Sequence, residues 1–248
     1  MIQGRRFQGI WGILIWLGLG CVPVWSGLGD QATIRCEDGE FYQLETQVVA
    51  NSQPIQAAAG DKIVVDTNKL RLDYYQNGVL VKSFVVAIGT GKTPSPVGEW
   101  KVIHKGGSWG GGFGARWIGI NVPWGIYGIH GTNKPGSIGS RSSHGCIRMF
   151  NSQVIELYKM VKVGTPVFIL GNLPRVKIRS ELHLKNTGRD VLRVQFAMRQ
   201  AGFDPGFADA RYGETMERAV KRMQFHYGLA PTGVLTQVEQ FLLGLEAW

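Results

Sequence analysis

From Asp61 onward the chain alternates apolar and polar residues, as in "KIVVDTNKLRLDYYQNGVLVKSFVVAIGTG". This period of two, rich in Val, Ile and Tyr, predicts β-strands. Asn77-Gly78 falls between two such runs and has the chemistry of a tight hairpin turn. "GEWKVIHK", "RWIGINV" and "GIYGIHG" predict further strands, with turns at Pro94, Pro96 and Pro123 between them. The period lengthens once, in "NSQVIELYKMVKVG", where Val154, Leu157, Tyr158 and Val161 share a helical face. Asn151 stands where it can cap that helix and Gly164 where it can end it. "TPVFIL" predicts a closing strand. Together these runs predict a mainly β domain over residues 60–171.

After a connector at 172–186, "GNLPRVKIRSELHLKN" in its wider bounds, the pattern turns helical. "RDVLRVQFAMRQAGF" and "GETMERAVKRMQFHYGL" each carry an apolar face and a Gly at or near the end. Thr236 with Glu239 forms a capping box that opens a third helix. Residues 187–246 therefore predict a small all-α domain of three helices.

The first 29 residues change the picture of where the protein works. "MIQGRRF" carries two arginines, and the stretch from Gln8 to Gly29 is uncharged, with "IWGILIWLGLG" at its centre. A basic start followed by a short apolar run predicts export as a signal peptide, with Val24 and Ser26 as a small-residue cleavage pattern. The stretch is also long enough for a membrane anchor. Arg5-Arg6 has part of a twin-arginine signal, and Cys21 part of a lipoprotein site. Residues 30–59 read as an irregular lead-in. The whole chain has 248 residues, 44% hydrophobic and 18% charged, which suits a packed protein of one medium and one small domain. Its 35 glycines against 10 prolines favour a loop-rich β protein. The formal charge of +9 fits an acidic polymer or an anionic surface. No cluster of Lys and Arg with interleaved aromatics occurs, which argues against nucleic acid as a partner.

Candidate chemistry concentrates in "HGTNKPGSIGSRSSHGCIRM", His130 to Met149. A thiol near neutrality is mostly protonated, and a neighbouring imidazole or cation supplies thiolate. Two imidazoles and a guanidinium lie close to Cys146 in sequence. If the segment is extended, His144, Cys146 and Arg148 project to one face, while a returning loop can bring His130 alongside. Either histidine can then serve as base; spacing does not choose between them. His130, His144 and Cys146 would also suffice for a zinc site, but no HExxH glutamate or second cysteine accompanies them, so no metal or other cofactor is expected. A buried cysteine is otherwise inert packing, and a disulfide between Cys36 and Cys146 is a further alternative. "KGGSWGGGFGARW", with Trp109 and Phe113 among glycines, reads either as a mobile flap over a cleft or as a surface loop. Trp117 and Trp124 read as packing.

"IYGIHGTNKPGSIGSRSSHGCIRM" resembles the signature of the L,D-transpeptidase (YkuD-type) catalytic domain of bacterial cell walls. The similarity extends upstream through "TGKTPSPVGEWKV" and "GGFGARWIGI" and downstream to "GTPVFIL". The resemblance implies a β-sandwich-like domain with one flanking helix and a thioester mechanism. Cys146 would be the nucleophile, His130 its base, and the Gly131 carbonyl the group that orients the imidazole. His144 would shape the site, and Arg148 and Ser143 would bind the substrate, Arg148 by holding its carboxylate. Backbone N–H groups near Gly145 and Cys146 would serve the oxyanion. The substrate implied is the peptidoglycan stem peptide, attacked at its third residue with loss of D-Ala and then joined to a second stem in a 3→3 crosslink. With water as acceptor the same enzyme would be an L,D-carboxypeptidase.

The helical region, through Gln195, "YGETMERAVKRMQ" and "GLAPTGVLT", resembles the three-helix peptidoglycan-binding module. Met223 stands where that module usually has an aromatic residue, and Asp209-Ala210 where it has an acidic-Gly pair. A non-catalytic wall-binding scaffold is the alternative from a different class. The intact His130, Ser143, His144, Cys146 and Arg148 argue against it. The expected setting is the bacterial cell envelope, with membrane contact only through the N-terminal apolar segment.

Overall fold

The computed structural model describes residues 60–245 and, as backbone, three strands before them. The chain divides into two compact units, residues 1–56 and 57–248. In the first, β1 (Val22–Trp25), β2 (Ala32–Arg35) and β3 (Phe41–Leu44) form an antiparallel sheet in that order. Two of these strands lie in the stretch read as an irregular lead-in, which is therefore not wholly irregular. Short runs such as "ATIR" and "FYQL" carry β-branched or aromatic residues and pair well despite their length. Cys21 and Cys36 lie outside the described residues, as do most positions of the N-terminal apolar stretch.

The second unit is built on one eight-stranded sheet, and its strands follow the alternating runs of the sequence. They are β4 (Lys62–Asp66), β5 (Arg71–Gln76), β6 (Val79–Val85), β8 (Gly98–Gly106), β9 (Trp117–Ile120), β10 (Tyr127–His130), β12 (Ile147–Arg148) and β13 (Pro166–Leu170). Their order is β12-β10-β9-β8-β13-β4-β5-β6. A separate pair joins β7 (Ile88–Gly89) to β11 (Arg141–Ser143). Asn77 and Gly78 make the turn between β5 and β6 with φ of 50° and 82°, the left-handed pair that a tight hairpin requires. The fold is mainly β with one helix in this region; its core lies within a single curled sheet.

Helix α1 (Asn151–Met160) buries Val154 and Leu157 against that core, and Val161 follows it inside. Two details differ from the sequence reading. The residue preceding the first turn is Phe150, and no side chain caps it, so Asn151 is not the cap. The helix stops at Met160 with extended Val161 after it, before Gly164 is reached. Burial of Val161 in the core turns the chain early.

Helices α2 (Arg189–Gln200), α3 (Glu214–His226) and α4 (Gln237–Leu242) form the C-terminal region. Val191, Val194, Met198, Met216, Val220 and Met223 make its core. The capping box of α4 is present in full, with Thr236 and Glu239 bonded reciprocally. Gln195 and Gln224, motif residues of the sequence resemblance, are buried and satisfied by backbone groups. Gln195 holds Phe207, Ala210 and Arg211, and Gln224 holds Gly233 and Val234. They are spent on packing the loops.

The helices dock on the sheet through Glu99 of β8. Its backbone N–H donates to Ala208 O at 2.9 Å, and the Ala208 N–H returns to the Glu99 carboxylate at 3.0 Å. Leu192, Ala208 and Ala210 share the apolar core of the sheet.

Candidate active site

The site sits at the β12 edge of the sheet. Strands β10 and β12 run parallel, with Ile129 opposite Ile147 and His130 opposite Arg148. Ile129 and Ile147 face the core and are fully buried. Because side chains alternate along a strand, His130 and Arg148 leave on the other face. The chain bends just before: Gly145 has φ of +117°, so His144 to Cys146 is a bend between β11 and β12, and of residues 144–148 only Ile147 and Arg148 are strand. The extended reading of 144–148 therefore fails at Gly145, and His144 turns outward and is exposed.

Ser143 ties that turn. Its buried hydroxyl donates to Cys146 O at 2.6 Å and accepts from Gly145 N–H at 3.0 Å. Its carbonyl is held by Thr90 N–H and by the Thr93 hydroxyl, both at 3.1 Å. Thr90 and Thr93 were not singled out by sequence reasoning; only the fold brings "TGKT" to this turn.

Cys146 is a free thiol, half-buried. Burial pushes its pKa above the ordinary range, opposed by a hydrogen bond from the Gly128 backbone and by the charge of Arg148. His130 is buried, and burial lowers its pKa, opposed by the Gly131 carbonyl. The Arg148 charge lowers it further, and the Phe113 carbonyl opposes. Burial thus favours the neutral form of each group, the thiol and the imidazole. His130 Nδ1 lies 2.5 Å from Gly131 O, which places the ring proton on that nitrogen and leaves Nε2 as the acceptor.

Arg148 is half-buried, and the one hydrogen bond that its guanidinium makes among the described residues is a long one, 3.4 Å to Ser142 O. Its guanidinium keeps donors for a carboxylate. No three of His, Cys, Asp and Glu gather into a metal-binding group among the described residues.

The glycine-rich segment folds onto His130. Trp117, the register partner of His130 on β9, stacks on its ring at 5.4 Å. Trp109 stacks on Trp117 at 4.7 Å, and Phe113 meets His130 edge-on at 5.2 Å. Ring pairs of this kind are worth about 0.5–1.5 kcal/mol each, enough to dock the segment. Trp109 and Phe113 still expose 50% and 41% of their surface, so their outer faces meet solvent. Trp117, read as packing, packs against the His130 ring itself.

Residues 60–169 match the family model described as the L,D-transpeptidase catalytic domain, YkuD. Residues 187–238 match the model described as "Putative peptidoglycan binding domain". The chain thus carries a YkuD-type L,D-transpeptidase catalytic domain followed by a peptidoglycan-binding domain. Among curated proteins it is similar to "Putative L,D-transpeptidase YkuD" of Bacillus licheniformis, at 43% identity over 44% of this chain and 64% of that one. The protein of the same name from Bacillus subtilis is 42% identical, over 43% of this chain and 64% of that one. The match therefore spans a little under two thirds of these relatives. The catalytic domain of an E. faecium L,D-transpeptidase, solved by NMR, is 29% identical over 45% of this chain and 98% of that one, with a TM-score of 0.40.

Proposed function

We propose that this protein is an exported, cysteine-dependent L,D-transpeptidase that forms 3→3 crosslinks between peptidoglycan stems. The observation that carries this reading is the free Cys146 in the bend that leads into β12, where Arg148 pairs in register with His130, whose Nδ1 is fixed by Gly131 O. The matched catalytic and peptidoglycan-binding domains support the substrate class.

In the acylation step His130 Nε2 takes the thiol proton as Sγ attacks the carbonyl of the third stem residue. The tetrahedral intermediate collapses, the C–N bond breaks, and the proton passes from His130 to the leaving amine of D-Ala. A thioester remains on Cys146. The side-chain amine of a second stem then attacks it, His130 accepts the amine proton, and that proton returns to the sulfur as it leaves. No external energy source is needed, because the peptide bond broken is balanced by the one formed. Arg148 is suited to a stem carboxylate, and the N–H groups around Gly145 and Cys146 to the oxyanion. Neutral partners suit this sequence: the base must be unprotonated at the start and the thiolate is needed only during attack.

Export and a cell-envelope setting are proposed from the basic, then apolar, start of the chain and the net charge of +9. The test is incubation of the full chain with disaccharide-tetrapeptide and mass analysis of products. Loss of D-Ala with dimer formation, abolished in Cys146→Ala and His130→Ala, is expected. Monomeric tripeptide alone would assign the carboxypeptidase instead, and an unreactive Cys146 the scaffold.

A further inference from the structure

We infer that Asn151 is a positioning residue that sets the orientation of the His130 imidazole through one peptide plane and, with the same oxygen, anchors the end of the glycine-rich flap. The inference rests on the reading of His130 as the base.

Three hydrogen bonds carry it. Asn151 Oδ1 accepts from Thr132 N–H at 3.2 Å and from Ala115 N–H at 3.0 Å, and Nδ2 donates to Thr132 O at 3.1 Å. The Thr132 N–H and the Gly131 C=O belong to the same peptide unit. That unit is planar and, with no cis bond among the described residues, trans, so its two polar groups point in opposite directions and turn together. Asn151 holds one end. His130 Nδ1 is held by the other. Rotation of this plane would swing the carbonyl away from Nδ1 and release the ring tautomer.

Two glycines show how closely the amide approaches. A Cβ on Gly131 would come within 2.1 Å of Asn151 Oδ1, and one on Gly114 within 2.3 Å. Neither position can carry a side chain while the amide stays. Ala115 closes the flap that bears Trp109 and Phe113, so one oxygen ties both the cover over the base and the carbonyl behind it. Asn151 is otherwise exposed at the first turn of α1, and it caps nothing there. Its amide is engaged across 19 and 36 residues of sequence instead.

The experiment uses the full chain labelled with 15N-histidine, and compares wild type, Asn151→Ala and Asn151→Asp. Imidazole NMR reads the Nδ1–H tautomer and the titration of His130, while D-Ala release from disaccharide-tetrapeptide reads turnover. Thermal unfolding is followed alongside. In Asn151→Ala the Nδ1–H signal should weaken and turnover fall by at least about tenfold. The titration of His130 should move to lower pH, because a bond favouring the protonated ring is lost. Asn151→Asp keeps the acceptor for Thr132 and adds a negative charge, so it should recover much of the rate and move the titration to higher pH.

An unchanged tautomer and titration in Asn151→Ala would overturn the inference, even with reduced turnover, since packing damage alone would do that. Should Asn151→Ala fail to fold, an unmoved His130 titration in Asn151→Asp would overturn it equally. Undiminished turnover in His130→Ala would instead remove the base reading itself, a separate outcome.

Discussion

Arg199 closes on both carboxylate oxygens of Glu99, at 2.6 and 3.1 Å, and so joins helix α2 to strand β8. The same guanidinium donates to Gly206 O at 2.6 Å. The helical region is therefore latched to the catalytic sheet by a bidentate pair whose acidic partner is nearly buried, at 8% exposure.

Removing the cation leaves that carboxylate without its counter-charge. Loss of one partner of a fully buried pair costs about 3–5 kcal/mol, but the Arg199 side chain is 38% exposed and solvent screens part of the effect. Arg199→Ala should destabilise by about 2 kcal/mol, read by urea denaturation. The helical region should also become more open to limited proteolysis.

On the proposed mechanism, the pH dependence of turnover follows from the burial of His130. His130 must be neutral to accept the thiol proton, and burial holds its pKa below the ordinary imidazole value. The acid limb of D-Ala release should therefore fall below the pH at which a free imidazole is half protonated. Alkylation of Cys146 by iodoacetamide without substrate should be slow at neutral pH and rise only above the ordinary thiol range, because burial raises that pKa. Fast alkylation at pH 6 would show a resting ion pair instead.

Gly145 allows no side chain. Its φ of +117° is foreign to L residues, and a Cβ there would stand 2.7 Å from the Tyr127 ring. Gly145→Ala should displace the Cys146 turn, lower turnover by about 100-fold, and cost about 1–3 kcal/mol of stability. Kinetics on the folded fraction separates the two effects.

Asp190 gives a stability test with a defined sign. Burial would raise its pKa, but bonds from Arg179, at 2.6 and 2.9 Å, and from Val191 N–H outweigh that and hold it below the usual carboxylate range. The folded pKa lies under the unfolded one. The contribution is thus fully present above the unfolded value and vanishes as pH falls through the folded one. Asp190→Asn should be about 1–2 kcal/mol less stable at pH 7, as expected for a half-exposed pair. The difference should shrink as pH falls below the ordinary carboxylate value and through the depressed folded one, measured by chemical denaturation across pH.

Some of this molecule is legible in sequence because the signals are local. The Asn77-Gly78 hairpin and the Thr236–Glu239 box each act within four residues, and both form as read. The apolar faces of the helices follow from period alone. Asn151 was misread for the converse reason: its residue type and place suit a cap, while its partners Ala115 and Thr132 come from other elements. Spacing also left His130 and His144 equivalent. Burial separates them, because β10 is paired on both sides and the Gly145 bend throws His144 outward.

The loop between the two halves of the site has its own consequence. His130 is set by pairing on β10, while Cys146 is set by the ties from Thr90, Thr93 and Ser143. The exposed stretch at Asn133 to Gly136 bears on neither. Lengthening a flexible loop costs little, so this tip is where a tag or a guest sequence can be spliced in with the reacting atoms left in place.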